Sequence, residues 1–312
     1  MDAPLLIVGA GAIATLFAAQ LASAGMKVVM LTSWEEAIQK ISERGVCAIF
    51  PDGRSVGGLV QITSDPEEIG RIRRALVLVK AWQTPQAALQ LEKVLTSDGV
   101  AFSLQNGLGN LEVLAERLGP RRSACGVTVV GATIQNPGIV HCTGSVTVQG
   151  IQDMRLFDLY EQFEKAGIRV EMQADLGCVQ WRKLIVNAAI NPLSAVLGVC
   201  NGALWENTHS QYVLTGLARE ALAVAEASGY PFNEVDMIGE IREICRKTAA
   251  NHSSMLQDVR RGVQTEIDAI NGALVQIAGG LGVDVPLNRC FVSLVKSFSE
   301  ASSLFDGEKP GG

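Results

Sequence analysis

Several features of specialised proteins are missing from this sequence. The seven cysteines form no CxxC pair, and the three histidines form no group with metal-ligand spacing. Neither a zinc site nor a disulfide framework is therefore predicted. No apolar run approaches the roughly 18 residues of a membrane span, and no basic segment follows the first residue. We expect a cytoplasmic protein with reduced cysteines, no bound metal and no membrane partner.

An excess of positive charge is also missing. Lysine and arginine number 26 against 32 aspartates and glutamates, a net charge of −6, which argues against a nucleic-acid partner. Charged residues make up only 19% of the chain and hydrophobic residues 48%, so extensive burial is expected. At about 150 residues per domain, the 312 residues predict two domains.

The first half of the chain has the pattern of an α/β domain. Short apolar, β-branched runs alternate there with helical periodicity, which is typical of a doubly wound, mostly parallel sheet. The predicted strands are 5–8, 27–31, 76–79, 100–104, 124–130 and 169–172, with helices after the first, third and fourth. Turn residues inside 47–63 and 139–148 predict antiparallel additions to this sheet.

The composition changes after residue 174. Leucine, alanine, isoleucine and glutamate dominate, and segments 209–228 and 261–278 carry a 3.6-residue apolar period. We therefore predict an α/β domain over residues 1–174 and an all-helical domain over residues 175–312.

A glycine-rich turn follows the first predicted strand and precedes a helix, with the sequence Gly9-Ala10-Gly11-Ala12-Ile13-Ala14. In a Rossmann-like domain the first glycine permits the tight turn and the second lets the backbone approach a pyrophosphate. Ala14 would replace the third glycine, and the helix N-terminus would face the anion. The alternatives are a flavin cofactor or an ordinary turn that binds nothing.

The choice between NAD and NADP depends on the end of the second strand. An acid there holds the ribose of NAD, whereas an arginine accepts the 2′-phosphate of NADP. The sequence has Thr32 and Ser33 at this point, and two hydroxyls can donate to a phosphate. No arginine supports them, and Glu35 and Glu36 follow. The pattern favours NADP modestly and leaves NAD open.

A polar stripe runs along an otherwise apolar helical segment. Lys183, Asn187 and Asn191 are spaced by four residues and therefore share one helix face. Burying such groups without partners costs on the order of 1 to 3 kcal/mol each, so we expect them to meet a ligand in a cleft. The alternative is internal hydrogen bonding, with Asn191 capping a break made by Pro192.

A second polar series follows further along the chain. Ser254 is predicted at the start of a helix, where it could cap the helix or bind an anion. Glu266 lies eight residues after Asp258, on roughly the same helical face. From spacing alone, a solvated glutamate on an amphipathic helix is an equal alternative for Glu266.

Taken together, these motifs resemble the ketopantoate reductase family, which pairs a Rossmann domain with a helical domain. The resemblance spans nearly the whole chain. It rests on the glycine turn at 9–14, Val79-Lys80-Ala81-Trp82-Gln83, Gln105-Asn106-Gly107-Leu108-Gly109, the segment 183–193, and 253–258 through 265–268.

The resemblance implies that NADPH reduces a branched 2-oxo acid, ketopantoate, to D-pantoate in pantothenate and coenzyme A biosynthesis. It implies Lys183 as general acid and Glu266 as the group that orients Lys183 or contacts the substrate hydroxyl. The implied substrate-binding residues are Asn106, Asn187, Asn191 and Ser254, with Asp258 supporting them. The implied cofactor residues are Gly9, Ala10, Gly11, Ala12, Ile13, Ala14, Thr32, Ser33, Lys80, Gln83 and Asn106.

Other interpretations stay open at this stage. Lys80 could be a surface lysine, and Asn106 could belong to an ordinary Asn-Gly turn. The family often has an arginine where this chain has Ser33, so NADH is admitted beside NADPH. A related hydroxyacid or opine dehydrogenase with another substrate, or a nicotinamide-binding regulator without turnover, is the competing function. The apolar helices make a homodimer plausible without fixing the number of subunits.

Overall fold

The computed structural model describes residues 4–305. The chain divides into two compact units, of which the first comprises Met1–Gln105 and Gly109–Leu176. The second comprises Asn106–Leu108 and Gly177–Gly312. The predicted fold class is confirmed, because a unit with a parallel sheet is followed by an all-helical one. Residues 306–312 of the predicted helical domain lie outside the described part.

The first unit is built on a six-stranded parallel sheet in the order β5-β2-β1-β6-β7-β8. The strands are β1 (Leu5–Val8), β2 (Val28–Leu31), β3 (Val46–Ile49), β4 (Ser55–Gly58), β5 (Gln61–Thr63), β6 (Ile72–Val77), β7 (Leu95–Ser103), β8 (Ser123–Cys125), β9 (Val127–Val129), β10 (Ala132–Asn136), β11 (Ile139–Cys142), β12 (Thr147–Gly150) and β13 (Arg169–Met172). The helices are α1 (Ala12–Ser23), α2 (Glu35–Arg44), α3 (Thr84–Val94), α4 (Asn110–Leu118) and α5 (Phe157–Lys165).

The central strands are apolar because both faces of the main sheet are covered. Every residue of β1 and β2 is buried. Side chains on one face join a cluster with α1, including Phe17, while those on the other face pack with α3 and α4. The helices predicted after the first, third and fourth strands are thus present as α1, α3 and α4.

Three expectations for the first unit were wrong. The predicted strand 124–130 divides at Gly126, where a Cβ would lie 2.6 Å from the Phe102 ring. Its two parts, β8 and β9, belong to different sheets. Segment 139–148 is not a hairpin, because β11 pairs with β3 and β10 while β12 pairs with β9 and β13. Strand 169–172 therefore lies outside the main sheet.

Other elements lacked a clear sequence signal. The turn at 51–53 does join the antiparallel pair β3 and β4, as predicted. The pair is not an addition to the main sheet, however, because it belongs to a separate four-stranded sheet in the order β10-β11-β3-β4. Helix α2 was missed because only Ala37 and Ile41 of its ten residues are buried, which leaves little apolar periodicity. The three-residue edge strand β5 was too short to recognise.

The second unit is helical. Its helices are α6 (Leu176–Leu197), α7 (Asn201–Glu206), α8 (Thr208–Ala227), α9 (Glu234–Lys247), α10 (Ser254–Arg260), α11 (Ala273–Leu281) and α12 (Pro286–Phe305), with a π-helical turn at Asp268–Gly272. Their core includes Ile185, Leu217 and Ile241, all fully buried. In the described range 4–305, none of the helices combines the length and hydropathy needed to cross a membrane.

The helix expected over 261–278 is interrupted. Helix α10 ends at Arg260, and an irregular segment precedes the π-helical turn that leads into α11. The reason is local, because the backbone amides of Arg261 and Val263 both bond to the carbonyl of Asp258 and turn the chain away from the helix axis. Helix α8, in contrast, matches the predicted segment 209–228 closely.

Candidate active site

The glycine turn in the first unit is shaped by two glycines with different constraints. Gly9 has a φ of +121°, and a Cβ there would lie 3.0 Å from the carbonyl oxygen of Leu78. Only glycine fits this position. Gly11 has ordinary φ, and a Cβ there would meet no atom within 4 Å. The space that a side chain at Gly11 would occupy is therefore open, whereas the corresponding space at Gly9 is filled by the backbone of Leu78.

Helix α1 begins at this turn without a side-chain cap from the described residues. Its first backbone amides therefore lack side-chain acceptors, and the helix dipole adds partial positive charge there. Ala10 and Ala14 are buried, whereas Ala12 and Ile13 are half-buried. These residues fit the pyrophosphate of a dinucleotide, which needs exposed amides and a backbone without side chains in its way.

The end of β2 carries the hydroxyl groups expected to select the cofactor. The Thr32 hydroxyl accepts a hydrogen bond from the Trp34 amide at 3.2 Å, and Ser33 is exposed. Glu35 and Glu36 occupy the first turn of α2. Hydroxyl donors are thus available at the strand end, and two carboxylates follow them.

Lys80 and Gln83 lie together after β6. The backbone amide of Lys80 donates to Oε1 of Gln83 at 3.2 Å, and the Gln83 amide donates to the Lys80 carbonyl at 2.8 Å. Both residues are half-buried. Gln83 therefore shapes the turn that carries Lys80.

A polar network beside this turn had not been predicted from the sequence. Nε2 of Gln105 donates to the Val79 carbonyl at 2.9 Å and to the Thr84 hydroxyl at 2.8 Å. Thr84 in turn donates to Oδ1 of Asn110 at 3.0 Å. The network joins the residues that follow β6 and β7 to the starts of α3 and α4. Only the position of Gln105 directly after a predicted strand signalled it.

In the second unit, α6 carries the polar stripe. Lys183 and Asn187 are half-buried and Asn191 is 7% exposed. Pro192 lies inside the helix, which continues to Leu197. The alternative in which Asn191 caps a break at Pro192 is therefore wrong.

The charge on Lys183 is balanced between two opposing effects. Burial disfavours its ammonium form, while the negative charge of Glu266 favours it, and the result lowers the pKa of Lys183 to about 8. A lysine with such a pKa can give up its proton near neutral pH, which an ordinary surface lysine cannot do.

Glu266 lies in the irregular segment before the π-helical turn and is only 6% exposed. It is therefore not the solvated glutamate of an amphipathic helix. Nδ2 of Asn106 donates to Oε2 of Glu266 at 3.4 Å, a long hydrogen bond. The structure thus brings together Glu266, Asn106 and the charge of Lys183.

Gly107 explains how the chain reaches this position. Its φ is +82°, and a Cβ there would lie 2.3 Å from the carbonyl oxygen of Ala269 in the π-helical turn. The Leu108 amide donates to the same carbonyl at 3.2 Å. Glycine is therefore required at position 107 by its close approach to the backbone of the π-helical turn.

The start of α10 differs in one detail from expectation. Ser253, and not Ser254, caps the helix by accepting from the Leu256 amide at 3.1 Å. Ser254 is the first helical residue and is exposed. Asp258 is 1% exposed and accepts from Nη2 of Arg261 at 2.9 Å. Residues 4–305 contain no group of three or more His, Cys, Asp or Glu arranged to hold a metal.

The chain was compared with protein families. A model described as ketopantoate reductase PanE/ApbA matches residues 5–151, and a model of the C-terminal part of the same family matches residues 175–299. A 2-dehydropantoate 2-reductase of Archaeoglobus fulgidus is 36% identical over 303 residues, covering 93% of this chain and 96% of the relative. The enzyme of the same name from Halobacterium salinarum is 32% identical, covering 94% and 97%.

Solved structures show the same similarity. A PanE/ApbA family ketopantoate reductase from Ralstonia eutropha has a TM-score of 0.86 at 29% identity, covering 96% of this chain and 99% of that one. A D-mandelate dehydrogenase in complex with NADH and anilino(oxo)acetate has a TM-score of 0.89 at 23% identity, covering 96% and 99%. At 23% identity, the similarity to the D-mandelate dehydrogenase shows only that the two proteins share a fold.

Proposed function

Because the chain belongs to the ketopantoate reductase PanE/ApbA family, we propose that it reduces 2-dehydropantoate to D-pantoate in pantothenate biosynthesis. It is an oxidoreductase of that family. The observation that carries the proposal is Lys183, whose pKa falls to about 8 and whose charge is coupled to the buried Glu266. This pairing supplies a proton donor suited to the reduction of a ketone.

The cofactor in this proposal is a reduced nicotinamide dinucleotide bound by the first unit. The turn from Gly9 to Ala14 and the uncapped start of α1 would hold its pyrophosphate, as their open backbone suits. The Thr32 and Ser33 hydroxyls would contact the adenosine ribose or its phosphate, and Lys80, held in its turn by Gln83, would supply positive charge. When bound, the nicotinamide supplies the hydride that reduces the keto carbon.

The protein's own contribution to the chemistry is proton donation and charge stabilisation. In this proposal the Lys183 ammonium donates a hydrogen bond to the keto oxygen and transfers its proton as negative charge develops there. Glu266 keeps the lysine protonated at neutral pH, because its carboxylate opposes the lowering of the pKa by burial. Without that carboxylate, a smaller fraction of the protein molecules would have Lys183 protonated at neutral pH.

The substrate would be bound by amides and hydroxyls of the helical unit. Asn106 and Asn187 would hold the reacting end, and Asn191 the hydroxyl end. Ser254 is exposed at the start of α10, where its hydroxyl would contact the substrate carboxylate. Asp258 holds the chain after α10 through Arg261 and backbone amides, which agrees with a supporting role.

NADPH is the proposed cofactor, and Ser33 provides its test. Exchange of Ser33 for arginine, Ser33→Arg, adds a cation suited to the 2′-phosphate. We expect the ratio of kcat/KM with NADPH to that with NADH to rise at least about tenfold, as one charge-assisted hydrogen bond of about 1.4 kcal/mol would give. Ser33→Ala is the control, and an unchanged ratio in the arginine variant would contradict the assignment of this strand end.

A different 2-oxo acid is the second candidate substrate. It is favoured by the shared fold with a D-mandelate dehydrogenase whose structure contains anilino(oxo)acetate. The deciding measurement is the initial rate with ketopantoate, phenylglyoxylate and pyruvate, each with NADPH and with NADH. We expect the highest kcat/KM with ketopantoate. If only other 2-oxo acids are reduced, ketopantoate is not the substrate and the assignment passes to the acid with the highest kcat/KM. Cofactor binding without any turnover would indicate a regulator.

A further inference from the structure

Buried polar side chains of the helical unit form a series of hydrogen bonds that ends on α6, the helix that carries Lys183. We propose that Asn271 is a positioning residue, which holds the π-helical turn after Glu266 against α6. The inference rests on the proposed function, because it concerns the alignment of the proton donor and its carboxylate. It is carried by hydrogen bonds among residues to which the proposed reaction assigns no role.

The first observation is the helical proline. Pro192 has no N–H, so the carbonyl of Ala188, four residues earlier in α6, receives no hydrogen bond from position 192. Nδ2 of Asn271 donates to this carbonyl at 2.9 Å. Both Ala188 and Asn271 are fully buried, so water cannot replace that donor without opening the core. Asn271 therefore occupies the place that an amide proton takes in an ordinary helix.

The second observation is that Asn271 is oriented by further groups. Its other Nδ2 proton goes to Oδ1 of Asn288 at 2.9 Å. Nδ2 of Asn288 donates to the Leu217 carbonyl at 3.2 Å and to Oε2 of Glu220 at 2.7 Å. A carbonyl and a carboxylate only accept hydrogen bonds, so neither amide can be reversed without placing oxygen against oxygen.

Glu220 anchors this chain of bonds. Its carboxylate also accepts the backbone amides of Leu287 and Asn288, both at 2.9 Å, at the N-terminus of α12. Oδ1 of Asn271 accepts no hydrogen bond from the described residues, so its two donated protons are what this side chain contributes. This series of hydrogen bonds thus connects α6 to the carboxylate of Glu220 on α8.

The third observation concerns what Asn271 holds. It lies in the π-helical turn, whose Ala269 and Ile270 amides both bond to the carbonyl of Glu266 at 3.1 Å. The turn is thus tied directly to the residue that carries the carboxylate. A π-helical turn shifts the register of side chains and occurs often at functional sites. Asn271 links this turn to α6 five residues after Lys183.

Two variants separate positioning from mere satisfaction of a buried carbonyl. Asn271→Ala removes the donor, whereas Pro192→Ala supplies an amide N–H that bonds to the Ala188 carbonyl within the helix. We expect Asn271→Ala to lower Tm by several degrees and kcat for ketopantoate by about 10- to 100-fold, since small misplacements have such effects. The KM for the dinucleotide should stay unchanged. Pro192→Ala alone should retain kcat.

The double variant gives the decisive result. If Asn271 positions the turn, Asn271→Ala with Pro192→Ala recovers part of the lost Tm, because the Ala188 carbonyl is satisfied again while Oδ1 of Asn288 still lacks its donor. The value of kcat stays low. Asn233→Ala is the matched control, because it removes a different asparagine hydrogen bond, at the cap of α9. It should lower Tm without changing kcat.

Two outcomes would overturn the proposal. One is a normal kcat in Asn271→Ala despite a lowered Tm, and the other is recovery of both kcat and Tm in the double variant. Failure of the proposed function is recognised separately, because the wild-type protein would then lack ketopantoate reduction. The recovery of Tm by Pro192→Ala would still report the hydrogen bond.

Discussion

At the scale of single residues, Lys183 and Glu266 illustrate how burial inside the helical unit changes the acid–base chemistry of an ordinary lysine. Burial destabilises the ammonium, and the neighbouring carboxylate restores part of its stability. The spacing of Lys183, Asn187 and Asn191 was visible in the sequence, because a four-residue period places them on one helix face. The coupling of Lys183 to Glu266, which lies more than 80 positions further along the chain, was not visible in any local pattern.

Removal of the lysine tests the proton donor. We expect Lys183→Ala to lower kcat for ketopantoate by about 10²- to 10⁴-fold, the usual contribution of general acid catalysis. Lys247→Ala is the matched control, because that lysine is exposed on α9 and should leave kcat unchanged. A kcat within twofold of the wild type in Lys183→Ala would remove this residue from the mechanism.

The pH dependence tests the pairing. In the proposed mechanism Lys183 must be protonated to act, so kcat/KM should decline as the pH rises through about 8. Glu266→Gln removes the charge that raises this pKa, and the decline should therefore move to lower pH. The measurement is the pH profile of kcat/KM for both forms, with Glu243→Gln on the exposed face of α9 as control. A midpoint that stays in place or moves to higher pH would show that Glu266 does not stabilise the ammonium.

At the scale of elements, close backbone approach decides where the chain can turn. Gly107 lies against the π-helical turn because no side chain intervenes, and this contact brings Asn106 to Glu266. A sequence shows only an Asn-Gly pair here, which is compatible with any tight turn. The π-helical turn itself was missed, because the apolar period of 261–278 continues across the interruption.

Two glycines with similar φ angles, +82° at Gly107 and +91° at Gly109, provide the test of this element. Gly107→Ala would introduce both left-handed strain and a Cβ at 2.3 Å from the Ala269 carbonyl, whereas Gly109→Ala introduces strain alone, with no atom within 4 Å. We expect Gly107→Ala to lower the free energy of unfolding by about 1 to 3 kcal/mol more than Gly109→Ala does. Urea denaturation measures the difference, and equal losses would contradict the close approach.

At the scale of the whole molecule, the proposed cofactor-binding residues and the proposed proton donor belong to two units with separate cores. The α/β unit carries the turn suited to a dinucleotide, and the helical unit carries the ionisable pair. Any ligand that binds the folded state stabilises it by mass action, by about 2.7 kcal/mol at a hundred times its Kd. A rise in Tm on addition of NADPH would therefore report that the folded protein binds the proposed cofactor.

Gly11 allows this response to be separated from folding. A Cβ at Gly11 meets no protein atom, so Gly11→Ala should lower the stability of the free protein by about 1 kcal/mol or less. The same Cβ would stand where a pyrophosphate approaches the backbone. We expect NADPH to raise the Tm of the wild type and to raise it much less in Gly11→Ala. An equal increase in both would place the dinucleotide elsewhere.

The sequence by itself determined the fold class, the parallel sheet and the polar face of α6, because local periodicity and glycine placement encode these features. Tertiary structure decided the division of strand 124–130 between two sheets, the interruption at the π-helical turn and the burial of Glu266. It also decided that Asn271 would supply the hydrogen bond which Pro192 removes from α6. These outcomes depend on which backbone groups meet across distant parts of the chain, and a hydrogen bond leaves no periodic trace in the residues that form it.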